Sequence, residues 1–405
     1  MTPNLRSAGP DDLAAVAALS GQAFSVSPSP FDPASRPYLI ADERRVVAEV
    51  DGRVVAHAGA WSFGQWFGGG RLACAGVAGV AVAPEHRGSR IGSAALTRLL
   101  QLAREGGDVI ASLYPMNHHF YRAHGFELSS VRRRDRIPTQ ALRGLLPPGG
   151  GRADGLTVRP VQPGDVDGIE QLMPRRARGA NGLLDHDRRW ANRYAGQYPP
   201  AGYAWVAVDR DAEVRGYLQI EHTTATQPEE SFSLSVEELV ADDVAVQARL
   251  WRLVGSDHPG ARSAQAHLPP GCLPRLMVEP VITPVSGITQ MSRVLDVEKA
   301  LLCRGWPAGA SGEISFEITD PMFPDNAGPL ILAVADGVPD VDRSPPGPGR
   351  TTLATSIGTL TSLLTGYLDP AIAASSGLLP GVTDAEVGTL RGLLAGPAPE
   401  TVEYF

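Results

Sequence analysis

The stretch "GVAGVAVAPEHRGSRIGSAALTRLLQLAREGG", residues 76–107, decides how the first third of this chain is read. Val77 to Val82 form an apolar, valine-rich strand that ends before Pro84. A loop of Arg, Gly and Ser follows, then a helix with Ile91, Ala95, Leu96, Leu99 and Leu100 on its inner side. A helix start carries backbone N–H groups without intrahelical acceptors, and its dipole adds positive potential there. Arg87 and Arg90 place full charges beside it. The segment reads as an anion site suited to phosphate or, taken alone, as a surface loop with solvated arginines.

The next segment separates those readings. "DVIASLYPMNHHFYRAHGFE" (108–127) is a strand, a turn at Tyr114-Pro115, a short helix carrying His119, Phe120 and Tyr121, and then Gly125-Phe126. "VAVAPEHRGSRIG" followed by "FYRAHGFE" resembles the GCN5-related N-acetyltransferase (GNAT) superfamily. The resemblance implies acetyl-CoA as cosubstrate, with Val80, Ala81 and Val82 lining its pantetheine arm through backbone groups. It implies a pyrophosphate loop of Arg87, Gly88, Ser89, Arg90, Ile91 and Gly92, with Ser93 opening the helix. A backbone N–H near Val80 would polarise the thioester carbonyl, and Tyr121 would protonate the departing thiolate. The superfamily's first loop glycine is Arg90 here, where a side chain either crowds the backbone's approach to phosphate or adds a charge contact.

An internal repeat extends the reading. Leu5-Arg6 with Pro10, Asp12, Leu13, Val16 and Leu19 returns as Val158-Arg159 with Pro163, Asp165, Val166, Ile169 and Leu172, 153 positions later. Each copy continues into a hairpin, "RRVVAEVDGRVVAHAGAW" (44–61) and "YAWVAVDRDAEVRGYLQI" (203–220). "LLPPGGGRADG" (145–155) is the linker between them. In the second copy "VEELVADDVAVQARLWRLVGS" holds no Arg-x-x-Gly-x-Gly loop, so that copy is degenerate and does not bind CoA. After residue 285 come a short helix at "LDVEKALLCRGW", strands at "GEISFEITD" and "PLILAVADG", and a strand and helix at "TTLATSIGTLTSLLTGYL". The expected architecture is α/β (α+β): a GNAT domain at 1–150, a degenerate GNAT-like domain at 151–285 and a sterol-carrier-like domain at 286–405.

A duplicated GNAT fold before a small α+β domain resembles the Eis (enhanced intracellular survival) family, most strongly at "SLYPMNHHFYRAHGFE". That resemblance implies N-acetylation of amines on aminoglycosides or protein lysines, hexamers, and a terminal aromatic residue whose α-carboxylate enters the first domain's active site. The chain ends "ETVEYF", which alternates as a short strand does and stops on Phe405. The Phe405 carboxylate would accept the amine's proton directly or through water. Phe24 would wall the acceptor and Glu403 would face its charge; Phe31, Trp61 and Trp66 are further walls or plain core. The loop after Phe24 holds a single carboxylate, Asp32, which argues against aminoglycosides as natural substrate. His118 and His119 are candidate bases or, in the favoured reading, cap and surface residues. Arg132, Arg133 and Arg134 read as a solvated strand edge.

The totals narrow the partners. A net charge of −8 argues against nucleic acid and anionic membranes and favours a small cationic amine or a protein lysine. Cys74, Cys272 and Cys303 have no metal-ligand spacing, so no metal is expected, and they suit a reducing compartment. With neither leader nor membrane-length apolar run, the expected location is the cytoplasm. Two rivals stand beside the small-amine enzyme: an acetyltransferase of protein or peptide amines, and a lipid- or metabolite-binding protein with an inactive GNAT domain.

Overall fold

The computed structural model describes residues 3–24, 44–146, 155–185, 203–227, 229–256, 260–269, 271–278, 281–347, 351–403 and 405. Strand β1 (Asn4–Ser7) passes through a 3-10 turn (Pro10–Asp12) into helix α1 (Leu13–Phe24). Asp12 ties the three together: it accepts from Arg6 at 2.6 and 2.8 Å and from the Gly9 N–H at 2.7 Å. Strands β2 (Arg45–Val50) and β3 (Arg53–Phe67) form the expected hairpin. Asp51 and Gly52 turn it with φ of 50° and 74°, the left-handed pair that a two-residue type I′ turn needs. β4 (Gly70–Val82) lies antiparallel to β3; after α2 (Ile91–Glu105), β5 (Ile110–Leu113) lies parallel to β4. α3 (His118–Arg122), β6 (Glu127–Pro138) and α4 (Thr139–Arg143) follow.

The order then returns as β7 (Thr157–Pro160), a 3-10 turn (Pro163–Asp165), α5 (Val166–Arg178), a two-residue β8 (Leu184–Asp185), β9 (Tyr203–Val208), β10 (Val214–Thr224) and β11 (Phe232–Ala241). α6 (Val244–Val254), β12 (Ser263–Ala266), α7 (Leu273–Met277) and β13 (Thr283–Val294) complete it. The polar tie returns too: Asp165 accepts from Arg159 at 2.7 and 2.8 Å and from the Gln162 N–H at 2.7 Å. Each partner stands 153 positions after its counterpart, so duplication explains the network better than chance.

The last segment holds α8 (Val297–Cys303), β14 (Gly312–Thr319), β15 (Gly328–Ala335), β16 (Val338–Asp342), β17 (Leu353–Ser356), α9 (Ile357–Leu364), α10 (Pro370–Ser375) and α11 (Asp384–Leu393). Its strands form one sheet in the order β16-β15-β14-β17.

Packing divides the chain into two units. The first is Met1–Ser130, Thr289–Pro399 and Tyr404–Phe405; the second is Val131–Ile288 and Glu400–Glu403. Within the first unit the strands neighbour one another in the order β1-β2-β3-β4-β5-β13, and within the second in the order β7-β9-β10-β11-β12-β6. The repeats have therefore exchanged their sixth strands: β13 pairs with β5 from Met291↔Leu113 to Val294↔Ile110, and β6 with β12 from Asp135↔Ala266 to Pro138↔Ser263. In the first unit Leu96, Leu99 and Leu100 of α2 pack against Val46, Ala58 and Ala75. In the second, Leu250, Trp251 and Val254 of α6 pack against Leu218 and Leu234.

The chain end departs from the expected strand. Among the described residues only Glu400 makes a β-bridge, parallel to Val131, and residues 401–403 form no ladder. The Glu400 N–H donates to the Asn181 carbonyl at 2.8 Å, and the Val402 carbonyl accepts from Arg132 Nε at 2.7 Å. Side chains and a loop carbonyl take the place of a strand neighbour.

Candidate active site

The long strand β4 is bent where the site begins. His57 of β3 faces Ala81 and Gly59 faces Ala78, so Gly79 and Val80 together oppose Ala58 alone. Gly79 has φ of 67°, which makes this a bulge of the kind that turns backbone groups out of the ladder. A Cβ at Gly79 would stand 3.2 Å from His57 Cε1. Sequence reasoning passed over His57, which is fully buried under the bulge. Arg45 Nη1 donates to its Nδ1 at 3.2 Å, so its Nε2–H donates to Ser20 Oγ at 2.9 Å. Burial, then the charge of Arg45, pushes the imidazole down to about 3. His57 is a neutral prop and no proton acceptor.

β4 and β5 pair only through Cys74↔Ile110, Ala75↔Ala111 and Gly76↔Ser112. Beyond that point Val77 to Val82 have no ladder partner on the β5 side among the described residues, so Val80, Ala81 and Val82 edge an open splay. The strand runs into a 3-10 turn (Pro84–His86) and then the exposed residues Arg87, Gly88, Ser89 and Arg90. Gly88 has φ of 81° and Arg90 φ of 64°. Arg90 thus adopts the left-handed turn a glycine would take, with its side chain in solvent, and does not crowd the loop. The first intrahelical bond of α2 is Ala94 N–H to the Arg90 carbonyl at 3.0 Å, which leaves the N–H groups of Ile91, Gly92 and Ser93 without helical acceptors. Gly92 lets α2 sit close on β4, since a Cβ there would be 2.9 Å from Val82 Cγ2.

Tyr121, on α3, stacks edge-on with Phe120 and Phe126 at ring distances of 5.0 and 5.8 Å. Burial pushes its phenol up to about 12, so it holds its proton throughout the physiological range. Its hydroxyl has no hydrogen-bond partner among the described residues. Ser93 Oγ lies 2.6 Å from His124 Nε2, and His124 Nδ1 lies 2.8 Å from the Phe120 carbonyl. The carbonyl fixes Nδ1 as donor, and the contact of Nε2 with Ser93 joins the start of α2 to the tyrosine segment. His118 Nε2 lies 2.9 Å from Thr289 Oγ1, and Asn117 caps α3 through Phe120 N–H at 3.1 Å.

Phe405 belongs to this same unit. It is 7% exposed, with its ring 5.1 Å from that of Phe63 and 5.4 Å from that of Tyr114, the residue directly after β5. Of the proposed acceptor walls, Phe24 is exposed at the end of α1 and Trp66 is core. Trp61 is partly buried, and Phe31 and Asp32 lie outside the described residues.

Residues 4–129 match the acetyltransferase (GNAT) domain family, over the bulged strand, the loop and the tyrosine helix just described. The first repeat is thus matched as a GNAT domain. Residues 297–401 match the sterol carrier protein domain family. An uncharacterised N-acetyltransferase of Streptomyces coelicolor is 28% identical over 271 residues, 64% of this chain and 64% of its own length. Among solved structures, a GCN5-related N-acetyltransferase of Kribbella flavida is 28% identical, with coverage of 100% of this chain and 99% of that one and a TM-score of 0.83. Eis1 of Mycobacterium abscessus shares the fold at 20% identity, full coverage of both chains and a TM-score of 0.79.

The second repeat lacks what the GNAT domain has. β11 reaches α6 through Asp242 and Asp243 alone, and Asp243 accepts from the N–H groups of Ala245 and Val246 at 2.8 and 2.9 Å. A carboxylate fills the position a pyrophosphate would need. Within this unit lies a cleft of about 490 Å³, open at its mouth, edged by Glu237 and Glu238 of β11 and by Arg176, His267 and Val402. Glu403, expected to face the acceptor, counts with this unit and not with Phe405. The arginine triplet is not simply solvated: Arg134 donates to the Val236 carbonyl at 3.1 Å and pairs with Glu237 at 3.0 Å.

Burial, then the charge of Glu403, pushes the Glu238 carboxyl up to about 8 from an ordinary 4.5. The folded protein then binds a proton that the unfolded chain releases, so stability falls as pH rises between those values. Glu238→Gln should stabilise the protein by about 1–2 kcal/mol at pH 7.5, discounted for partial exposure. The gain should vanish at pH 4.5, as urea titrations at both pH values would show.

Proposed function

We propose that this chain transfers the acetyl group of acetyl-CoA to a primary amine of a cationic acceptor, aminoglycoside-like, polyamine or lysine, at the GNAT domain. The observation that supports it most is the junction of β4 and α2, where three helix-start N–H groups and two exposed guanidiniums follow directly on a bulged strand beside an open splay. That donor set fits a pyrophosphate, and the splay edge formed by Val80 to Val82 fits an amide-bearing arm. Acetyl-CoA would supply the thioester and a thiolate leaving group. The residues act around it: the backbone at the Gly79–Val80 bulge offers a donor to a carbonyl oxygen, and Tyr121 donates its proton to sulfur. The Phe405 carboxylate accepts the proton that the amine loses. A cytoplasmic homohexamer is part of the same proposal, carried by the resemblance to the Eis family.

Calorimetric titration with acetyl-CoA tests the reading. The intact chain should bind, and Arg87→Ala should bind about tenfold more weakly. An intact chain that binds none would leave the carrier reading standing. Tyr121→Phe should lower kcat by about 10²-fold with acetyl-CoA binding unchanged. Because burial pushes the phenol up to about 12, the wild type should show no loss of kcat from its ionisation below about pH 11.

A further inference from the structure

The second repeat also has a splay. β11 and β12 pair only through Leu234↔Ala264 and Ser235↔Gln265, after which β11 runs on to Ala241 while β12 stops at Ala266. On the other side β6 continues past its last pairing with β12, Asp135↔Ala266, back through Arg132 and Val131. The gap that opens is the counterpart of the one Val80 edges in the GNAT domain, and it is not empty. Residues 400–403 enter it.

Glu400 bridges Val131 in parallel and donates its N–H to the Asn181 carbonyl at 2.8 Å. Its carboxylate lies 3.0 Å from His267 Nε2, whose Nδ1 lies 3.1 Å from the Arg133 carbonyl, so the imidazole is held at both ends. Burial alone would raise the Glu400 carboxyl, but His267 and the charge of Arg176 hold it below its ordinary value. Thr401 is fully buried, and the Val402 carbonyl accepts from Arg132 Nε at 2.7 Å. Val402 lines the cleft together with Val236, Glu238, Trp251 and Cys272. Gly182, with φ of 92°, leaves room for the Glu400 carbonyl, which a Cβ would approach to 2.6 Å.

We propose that the second repeat's splay, unable to take a nucleotide, is a binding site for an extended acidic peptide, occupied in cis by Glu400-Thr401-Val402-Glu403. The chemistry at the first residue, Glu400, is specific to a carboxylate. The Val131 main chain and the Asn181 carbonyl hold the backbone at Glu400, Arg132 takes the Val402 carbonyl, and Arg176 and His267 face the Glu400 carboxylate. His267 is the residue directly after β12, as Tyr114 is directly after β5. The repeat has kept the position of its ligand groove and changed the ligand. This assignment stands independently of acetyl transfer.

Hydrogen exchange on the full-length chain tests it without any turnover. In the wild type the amides of residues 400–402 should exchange at least 100-fold more slowly than in the free hexapeptide. Glu400→Arg and His267→Ala should each abolish that protection while β10 stays protected, which separates loss of the ligand from loss of the fold. Release of Phe405 by carboxypeptidase should accelerate at least tenfold in the same two variants. A wild-type tail that exchanges as freely as the hexapeptide would overturn the assignment. So would protection, or resistance to carboxypeptidase, that survives Glu400→Arg.

Discussion

Deleting Phe405 lowers kcat by about 10²-fold or more, while acetyl-CoA binding stays within threefold. The expectation follows from where that residue is held. Its ring is buried against Phe63 and Tyr114, and Gly76 makes room, since a Cβ there would stand 3.1 Å from Phe405 Cε2. A free α-carboxylate is ionised at neutral pH, with an ordinary value of about 3.5. It is a weak base and works best as a relay to water or as an anchor for an ammonium, so its effect should fall on kcat and not on cosubstrate affinity. Deletion moves the carboxylate one residue back along the chain, about 3.5 Å, and removes the ring that fixed it. Adding one glycine after Phe405 is the sharper variant, because the ring stays and only the carboxylate moves. Thiol release at saturating acetyl-CoA should fall in both variants to a similar extent. Normal turnover by the glycine-extended chain would show that the ring matters and the carboxylate does not.

The second large effect is one of stability. Asp320→Ala should cost about 3–5 kcal/mol, because it leaves the Arg293 guanidinium buried without its carboxylate. Arg293 is 1% exposed; its Nη2 donates to both Asp320 oxygens at 2.7 and 2.8 Å. Asp320 also accepts from the N–H groups of Met322 and Phe323 and from Asn326 Nδ2, at 3.1, 3.2 and 2.9 Å. For a unit of this size the loss corresponds to a Tm lower by about 6–20 °C. The damage should reach the site, since Arg293 Nη1 donates to the His124 carbonyl at 2.5 Å and His124 holds Ser93. Gly125 admits that contact, because a Cβ there would collide with Nη1. Replacing both partners, Arg293→Met with Asp320→Leu, should cost less than Asp320→Ala alone. Thermal scans of the three variants decide the matter, and an Asp320→Ala loss below 1 kcal/mol would sink the account.

The sequence disclosed the parts of the site whose chemistry is local. The loop from Arg87 to Ser93 follows from a strand, a proline and a helix in succession, and the hairpins follow from alternation around Asp51-Gly52. The repeat at Arg6/Asp12 and Arg159/Asp165 was legible because one bidentate pair requires the same two residue types at the same spacing. The sequence left two roles open for Arg90, crowding or a charge contact, because a letter does not reveal that its backbone turns left-handed with the side chain exposed. His57 and Arg293 escaped notice because each is defined by residues far along the chain, Arg45 and Ser20 for the first, Asp320 and His124 for the second. The alternation of "TVEYF" suggested a ladder, yet period-two patterning reports alternate burial and not the presence of a neighbouring strand.

The exchanged sixth strands set a schedule for biosynthesis. Ile110 pairs with Val294, 184 residues further on, so the growing GNAT sheet carries an open edge at β5 until that partner is made. At about 5–20 residues per second, the wait is roughly 10–40 s, long beside the microsecond-to-second folding of ordinary small domains. A ribosome that stalls within the second repeat would release a chain whose first repeat is fully translated and still cannot close.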